Sequence, residues 1–180
     1  LKKIQGGAKD NAIPRACRIE FGYSQDPLAV ISELIKNIKR EYAQSDEDLD
    51  IVINKIADSD SFFDEKSSRD LIKALFILPN GVIKKSPDIK DLVLTSLNVG
   101  IIDTITEKVE VTISLRSALN SELEYLKDRI TALLEGYMFK VAGDSFYPPF
   151  ERVKDSKMRE IMKEVVFDVY QKELLVADTH

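Results

Sequence analysis

The chain has little of the two side chains on which most hydrolytic and zinc chemistry depends: one histidine, His180, and one cysteine, Cys17, among 180 residues. A self-contained serine or cysteine nucleophile system needs a histidine base. A tetrahedral zinc site needs several His or Cys ligands. The sequence therefore predicts no catalytic and no metal-ligating residues within this chain. A lone cysteine also excludes an internal disulfide and agrees with a reducing compartment, the cytoplasm.

Long apolar runs and an excess of basic charge are absent as well. No run approaches the roughly 20 apolar residues that cross a bilayer, and the first residues lack a secretory signal pattern. Acidic residues outnumber basic ones by 31 to 26, for a net charge of −5, and no basic stripe stands out. Nucleic-acid surfaces need clustered Lys and Arg. The sequence predicts neither a membrane nor a nucleic-acid partner.

What the chain does contain is enough apolar material for a folded domain, with 44% hydrophobic and 32% charged residues. Such a composition is typical of globular proteins. The chain begins at Leu1 without Met and stops at His180, just after the apolar run 174–177. We expect a single domain over 1–180 taken from a longer polypeptide, with two similar halves of about 1–90 and 91–180.

Hydrophobic periodicity and turn residues predict the order of elements. In chain order they are a strand at 13–23, a helix opening at Asp26-Pro27, a strand at 51–56, a helix capped by Ser67, a hairpin of 92–105 with 109–115, a helix capped by Ser121, a strand at 139–141 and a helix capped by Ser156. Each half contains a strand-helix-strand unit. The pattern predicts an α+β fold, a mainly antiparallel sheet with helices on one face.

The hairpin provides the strongest candidate for a binding group. If Ile105 pairs with Val109, antiparallel counting places Asn98 directly opposite Arg116 on the polar face. The planar guanidinium fork of an arginine matches a carboxylate. Arg116 is therefore either a ligand group for a carboxylate or a solvated or ion-paired strand residue.

Other short patterns favour structural interpretations. Gly6-Gly7 precedes a strand rather than a helix, which indicates a turn instead of a phosphate cradle. The acidic segment 58–65 has Phe where a calcium loop needs an oxygen ligand and a glycine, so a polar loop is expected. Cys17 is expected to be a small buried residue, and the stretch 147–150 a stiff chain reversal.

Seven short motifs, taken together and in order, resemble one enzyme family. They are IQGG (4–7), NAIPR (11–15), PNGVI (79–83), SPD (86–88), TSLNVG (95–100), Arg116-Ser117 and Tyr147-Pro148. The set closely resembles the aminoacyl-histidine dipeptidases, also called Xaa-His dipeptidases, and spans nearly the whole chain. The departures are modest: Ala16 stands where an acidic residue is usual, and Pro149-Phe150 where Gly-Trp is usual.

The resemblance implies the lid domain of a cytoplasmic, zinc-dependent dipeptidase with carnosinase-like enzymes among its relatives. In that family a catalytic domain, outside this chain, binds zinc, and an inserted lid closes over the site. Arg116 would hold the C-terminal carboxylate of a dipeptide substrate, with Asn98 orienting it. Asn11 is either a residue of the turn that leads into the strand or a further substrate-binding residue. His180 would lie where the chain returns to the catalytic domain. The chain alone is then expected to be inactive.

A second interpretation belongs to a different class of protein. The exposed face of the sheet suits a free-standing protein-interaction or dimerisation module without catalytic activity. A homodimer is compatible with either interpretation. Under the first interpretation, the partners are the catalytic domain of the same, longer polypeptide and a dipeptide substrate.

Overall fold

The computed structural model describes residues 1–56, 61–137, 139–143, 147–151, 153 and 155–176. Within these residues one antiparallel sheet is accompanied by helices, which confirms the predicted α+β class. The elements in chain order are β1 (Lys3–Gly6), β2 (Cys17–Glu20), α1 (Leu28–Tyr42), α2 (Glu65–Ile77), β3 (Gly81–Lys85), β4 (Val93–Ile105), β5 (Lys108–Ser117), α3 (Asn120–Gly136) and α4 (Lys157–Tyr170).

Strand β4 is the centre of the sheet, because three other strands pair with it. The whole length of β5 pairs along one edge of β4, which confirms the predicted hairpin. The other edge is shared: β3 pairs with the first half of β4, from Val93 to Leu97, and β1 pairs at Ile102 and Asp103. Strand β2 extends the sheet beyond β1. The edge of β4 between Leu97 and Ile102 therefore has no strand partner among the described residues.

Helices α2 and α3 cover one face of the sheet. One apolar cluster joins Leu97 of β4 to Leu126 and Ile130 of α3, and a second joins Ile4 and Ile102 of the sheet to Leu71 of α2. Burial of such side chains stabilises the fold by about 1.5–3 kcal/mol each. The opposite face of β4 and β5, called the open face below, carries Ser96, Asn98, Ser114 and Arg116.

The helices begin at residues that differ in part from the predicted caps. Ser156 caps α4, accepting a hydrogen bond from Arg159 N at 3.4 Å, as predicted. The cap of α2 is Asp64 rather than Ser67, because the Asp64 carboxylate accepts from Ser67 N at 2.9 Å. Ser121 lies inside α3, where Leu119 occupies the cap without a side-chain bond.

Several strand predictions are wrong. Residues 51–56 and 139–141 are not strands, and the first predicted strand is reduced to Cys17–Glu20. Strands β1 and β3 occupy positions in the sheet that were not predicted, and β1 includes Gly6, which had indicated only a turn. A strand depends on pairing with distant residues, and a local apolar pattern does not contain that information.

Helices α1 and α4 leave their apolar side chains uncovered. Neither has a buried residue, and Leu34 of α1 and Val165 of α4 are 55% and 51% exposed. Isolated amphipathic helices gain most of their stability from packing of the apolar face. Among the described residues, no helix has both the length and the apolar character needed to span a bilayer.

Candidate functional site

Arg116 lies on the open face near the end of β5. Its side chain is exposed, and the neighbouring positions Leu115 and Ser117 point to the helix-covered face. This alternation was predicted, because Val109, Val111, Ile113 and Leu115 form the apolar side of the strand. The strand places the backbone of Arg116 on the open face, and the exposed side chain extends from this partly polar surface.

The residue opposite Arg116 is Ser96, not Asn98. Asn98 pairs with Ser114, so Asn98 and Arg116 are diagonal neighbours on the same face. Diagonal positions in an antiparallel pair lie roughly 7–8 Å apart, within reach of a long side chain. The predicted pairing of Arg116 with Asn98 is therefore wrong, and the register of the hairpin differs from the predicted one by two residues.

Two backbone features produce this shift. The hairpin turn contains two residues, Thr106 and Glu107, because Ile105 pairs with Lys108, and Thr106 adopts a positive φ of 55°. A bulge at Gly100 then adds one more residue to β4 between Val99 and Ile101. The bulge also changes which side chains are buried: Ile102 faces the core, where the strict alternation had predicted Ile101.

Asn98 uses both hydrogens of its side-chain amide on the backbone of a distant loop. Nδ2 donates to the carbonyl oxygen of Asp10 at 2.7 Å and to that of Ala12 at 2.9 Å. Its Oδ1 atom is the remaining polar atom of the side chain and can accept a hydrogen bond.

Asn11 belongs to this same loop, which joins β1 to β2 over residues 7–16, called the 7–16 loop below. The side chain of Asn11 is exposed, and the two carbonyls that Asn98 binds lie on either side of it. All three residues predicted for the site therefore lie on or over the open face. The structure connects Asn11 to Asn98 through the backbone.

The charges around Arg116 leave it available to an external anion. Within the described residues its guanidinium forms no ion pair and no side-chain hydrogen bond. The acidic pair on this face, Asp103 and Glu110, lies at the far end of the hairpin, where Lys108 binds Glu110. An unpaired guanidinium beside hydroxyl and amide groups is suited to bind a carboxylate.

Sequence reasoning missed the residues that hold the loop in place. Asn80, just before β3, accepts a hydrogen bond from Val99 N at 2.9 Å, at the bulge. Gly100 lies under the 7–16 loop. The glycine in the NVG motif was the available signal, because a glycine inside a strand marks a bulge or a close backbone approach.

The described residues do not fit a zinc site. They contain no group of three or more His, Cys, Asp or Glu side chains arranged to hold a metal ion, and His180 lies outside them. Cys17 is exposed, so the prediction that it is a buried packing residue is wrong. Partial desolvation raises the pKa of its thiol, which disfavours the reactive thiolate.

Comparison with known proteins finds two informative matches, while no family model matches the chain. The cytosol non-specific dipeptidase of Escherichia coli (strain K12) is 27% identical over 176 residues, which cover 96% of this chain and 36% of the relative. The crystal structure of the aminoacylhistidine dipeptidase from Vibrio alginolyticus superposes with a TM-score of 0.86 at 25% identity, again over 96% of this chain and 36% of the other. The chain is homologous to one segment of these dipeptidases.

This finding confirms the resemblance seen in the sequence. The relatives are dipeptidases, which are peptide hydrolases, and the chain spans about a third of their length, 36% in each case. The motifs that carry the resemblance include the two segments joined by Asn98. The candidate site thus lies in the part of the chain that is similar to these dipeptidases.

Proposed function

We propose that this chain is the lid domain of a cytoplasmic, zinc-dependent dipeptidase that hydrolyses Xaa-His-type dipeptides. The homology to dipeptidases supports the enzyme class, and the name of the first relative supports the compartment. In the proposed enzyme, zinc is bound by a separate catalytic domain, as the resemblance implies. The residues of this chain bind the substrate and help to exclude water when the lid closes.

The unpaired guanidinium of Arg116 is the observation that carries this proposal. It is exposed on a rigid strand and has no anionic partner among the described residues. A dipeptide has a free C-terminal carboxylate, and an arginine can bind it through two parallel hydrogen bonds. Asn98, the diagonal neighbour of Arg116, and Asn11, in the loop that Asn98 binds, complete the proposed substrate-binding set.

The uncovered apolar sides of α1 and α4 support the proposed protein partners. Large side chains on both helices are about half exposed, including Leu34 at 55% and Met162 at 48%. Exposed apolar faces of this kind are typical of protein-protein contacts. We propose that the catalytic domain of the same polypeptide, or a second subunit in a homodimer, covers them.

Arg116→Ala in the full-length enzyme tests the proposed role. We expect kcat/KM for a dipeptide to fall roughly ten- to hundredfold, because a hydrogen bond to a charged group contributes about 1.5–3 kcal/mol. Arg116→Lys keeps the charge but loses the planar fork, so its value should be intermediate. The measurement is steady-state kinetics with zinc supplied.

The matched control is Arg40→Ala, which removes an exposed arginine from the last turn of α1. We expect this variant to keep wild-type kinetics. Equal kinetics for Arg116→Ala and the wild-type enzyme would remove Arg116 from the site and with it the proposed carboxylate contact.

A further inference from the structure

The 7–16 loop is unusual because it is long and exposed but closely held. It joins two strands that pair from Lys3↔Glu20 to Gly6↔Cys17, so ten residues, from 7 to 16, close this hairpin. Hairpin loops usually contain two to five residues, and long exposed loops are usually the more mobile parts of a fold. The contacts that fix this loop lie on the part of β4 that has no strand partner.

Two glycines allow the loop backbone to touch the β4 backbone. A Cβ atom on Gly7, whose φ is +77°, would lie 1.8 Å from the Gly100 carbonyl oxygen. A Cβ atom on Gly100 would lie 2.3 Å from the Asp10 carbonyl oxygen. Because both obstacles are backbone atoms, neither can move aside as a flexible side chain would. Only glycine at both positions permits this approach.

Asn98 supplies the hydrogen bonds at the same point. Its two donors bind carbonyls two residues apart, on Asp10 and Ala12, and so hold the backbone on both sides of Asn11. These two hydrogen bonds, together with the close approach at Gly100, are called the clamp below. The bulge that presents Gly100 to the loop is itself held from another segment, by the bond from Val99 N to Asn80. Two hydrogen bonds from Asn98 and two close backbone approaches at Gly100 therefore fix the loop on β4.

We propose that Asn98 is a positioning residue that holds the 7–16 loop, and with it Asn11, over the open face, on which Asn98 and Arg116 are diagonal neighbours. The inference rests on the proposed function, because the ligand it would orient is the free C-terminal carboxylate of a dipeptide. Asn98 acts through the loop backbone, while Arg116 binds the carboxylate and Asn11 provides the polar group beside it. Preference for a free C-terminus then depends on the clamp as well as on the arginine.

Two variants disturb the clamp by independent means. Asn98→Asp keeps the shape of the side chain but replaces both donors by a carboxylate that faces two carbonyl oxygens. Gly100→Ala leaves Asn98 intact and pushes the Asp10 backbone away. The matched controls are Asn37→Asp, on the exposed side of α1, and Gly136→Ala, where a Cβ atom would meet nothing within 4 Å.

Hydrogen-deuterium exchange of the full-length enzyme measures the clamp directly. We expect faster exchange across residues 8–16 in Asn98→Asp and in Gly100→Ala, and no change there in either control. If this segment exchanges at the wild-type rate in Asn98→Asp, the proposal is overturned, whatever the enzyme kinetics of the variant. Thermal unfolding of each variant identifies any that fail to fold, and in that event Asn98→Ala, which removes the donors without adding a charge, takes the place of Asn98→Asp.

Kinetics with a dipeptide and with its C-terminal amide measure the consequence for the site. We expect both clamp variants to reduce the preference for the free carboxylate about tenfold or more, mainly through KM, because misplacement of a binding group by about 1 Å is costly. A merely structural loss would lower kcat/KM equally for both substrates. Suppose that the clamp variants loosen the loop but keep the preference for the free carboxylate, whereas Arg116→Ala abolishes that preference. This result would overturn the role of Asn98. An intact preference in Arg116→Ala as well would instead overturn the proposed function.

Discussion

Asp64 shows how one side chain sets the start of an element and makes it sensitive to pH. Its carboxylate accepts hydrogen bonds from the Ser67 hydroxyl at 2.6 Å and from Ser67 N at 2.9 Å. These two bonds, the hydroxyl first, hold the pKa of Asp64 below its ordinary value. Since folding lowers the pKa, the cap stabilises α2 fully above the unfolded pKa of about 3.9 and less as the pH falls through the folded value.

Asp64→Asn keeps a capping oxygen but cannot titrate in this range. We therefore expect the wild-type chain to lose more of its free energy of unfolding than the variant when the pH is lowered from about 6 to about 3. Urea unfolding followed by circular dichroism at each pH measures this difference. If the difference in free energy of unfolding between the two proteins stays constant over this pH range, the role assigned to the carboxylate is contradicted.

At the scale of elements, α3 is held to the sheet by a few fully buried side chains. Leu126 is 2% exposed and packs with Leu97 of β4 and Leu78 at the end of α2. We expect Leu126→Ala to lower the free energy of unfolding by about 2–5 kcal/mol, because it removes buried apolar atoms and leaves a cavity. Urea unfolding at neutral pH measures the loss.

The control for this change lies on α1, where Leu34 is 55% exposed. In the 180-residue chain by itself, the same truncation, Leu34→Ala, should change the free energy of unfolding by no more than about 0.5 kcal/mol. Equal losses for the two variants would show that α3 is not more firmly packed than α1.

The same elements show which parts of the fold a sequence can predict. The β4-β5 hairpin was predicted because its side chains alternate with period two and one side is buried against helices, so the pattern itself fixes the faces. The partner of Arg116 was not predicted, because a two-residue turn and the bulge at Gly100 moved the register by two. Strands β1 and β3 were missed because KIQG and GVIKK are short and partly charged, and only pairing with β4 makes them strands.

For the candidate site, sequence reasoning selected the residues but not the contacts that join them. The fork geometry of an arginine on a polar strand face pointed to Arg116, and the motifs shared with the dipeptidases pointed to Asn98 and Asn11. The bonds from Asn98 to the 7–16 loop were not predicted, because they join residues 86 and 88 positions apart. Contacts over such separations depend on the folded backbone and leave no periodic pattern in the sequence.

At the scale of the whole molecule, the chain leaves much more surface exposed than a compact monomer of its mass. It exposes 14571 Å² at 20.4 kDa, whereas a compact monomer of that mass exposes roughly 8,800 Å². The excess includes the apolar sides of α1 and α4. Such a surface is expected of a domain that packs against further protein, which supports the proposal of a lid within a larger enzyme.

This proposal predicts that the 180-residue chain has no dipeptidase activity by itself, even with added zinc. Peptide hydrolysis requires an activated water or nucleophile, and the described residues contain the arginine proposed to bind a carboxylate but no metal-ligand cluster. The assay is hydrolysis of an Xaa-His dipeptide by the pure chain, with the full-length enzyme as the positive control under the same conditions. Clear turnover by the pure chain would refute the lid assignment, because the catalytic groups would then have to lie within these 180 residues.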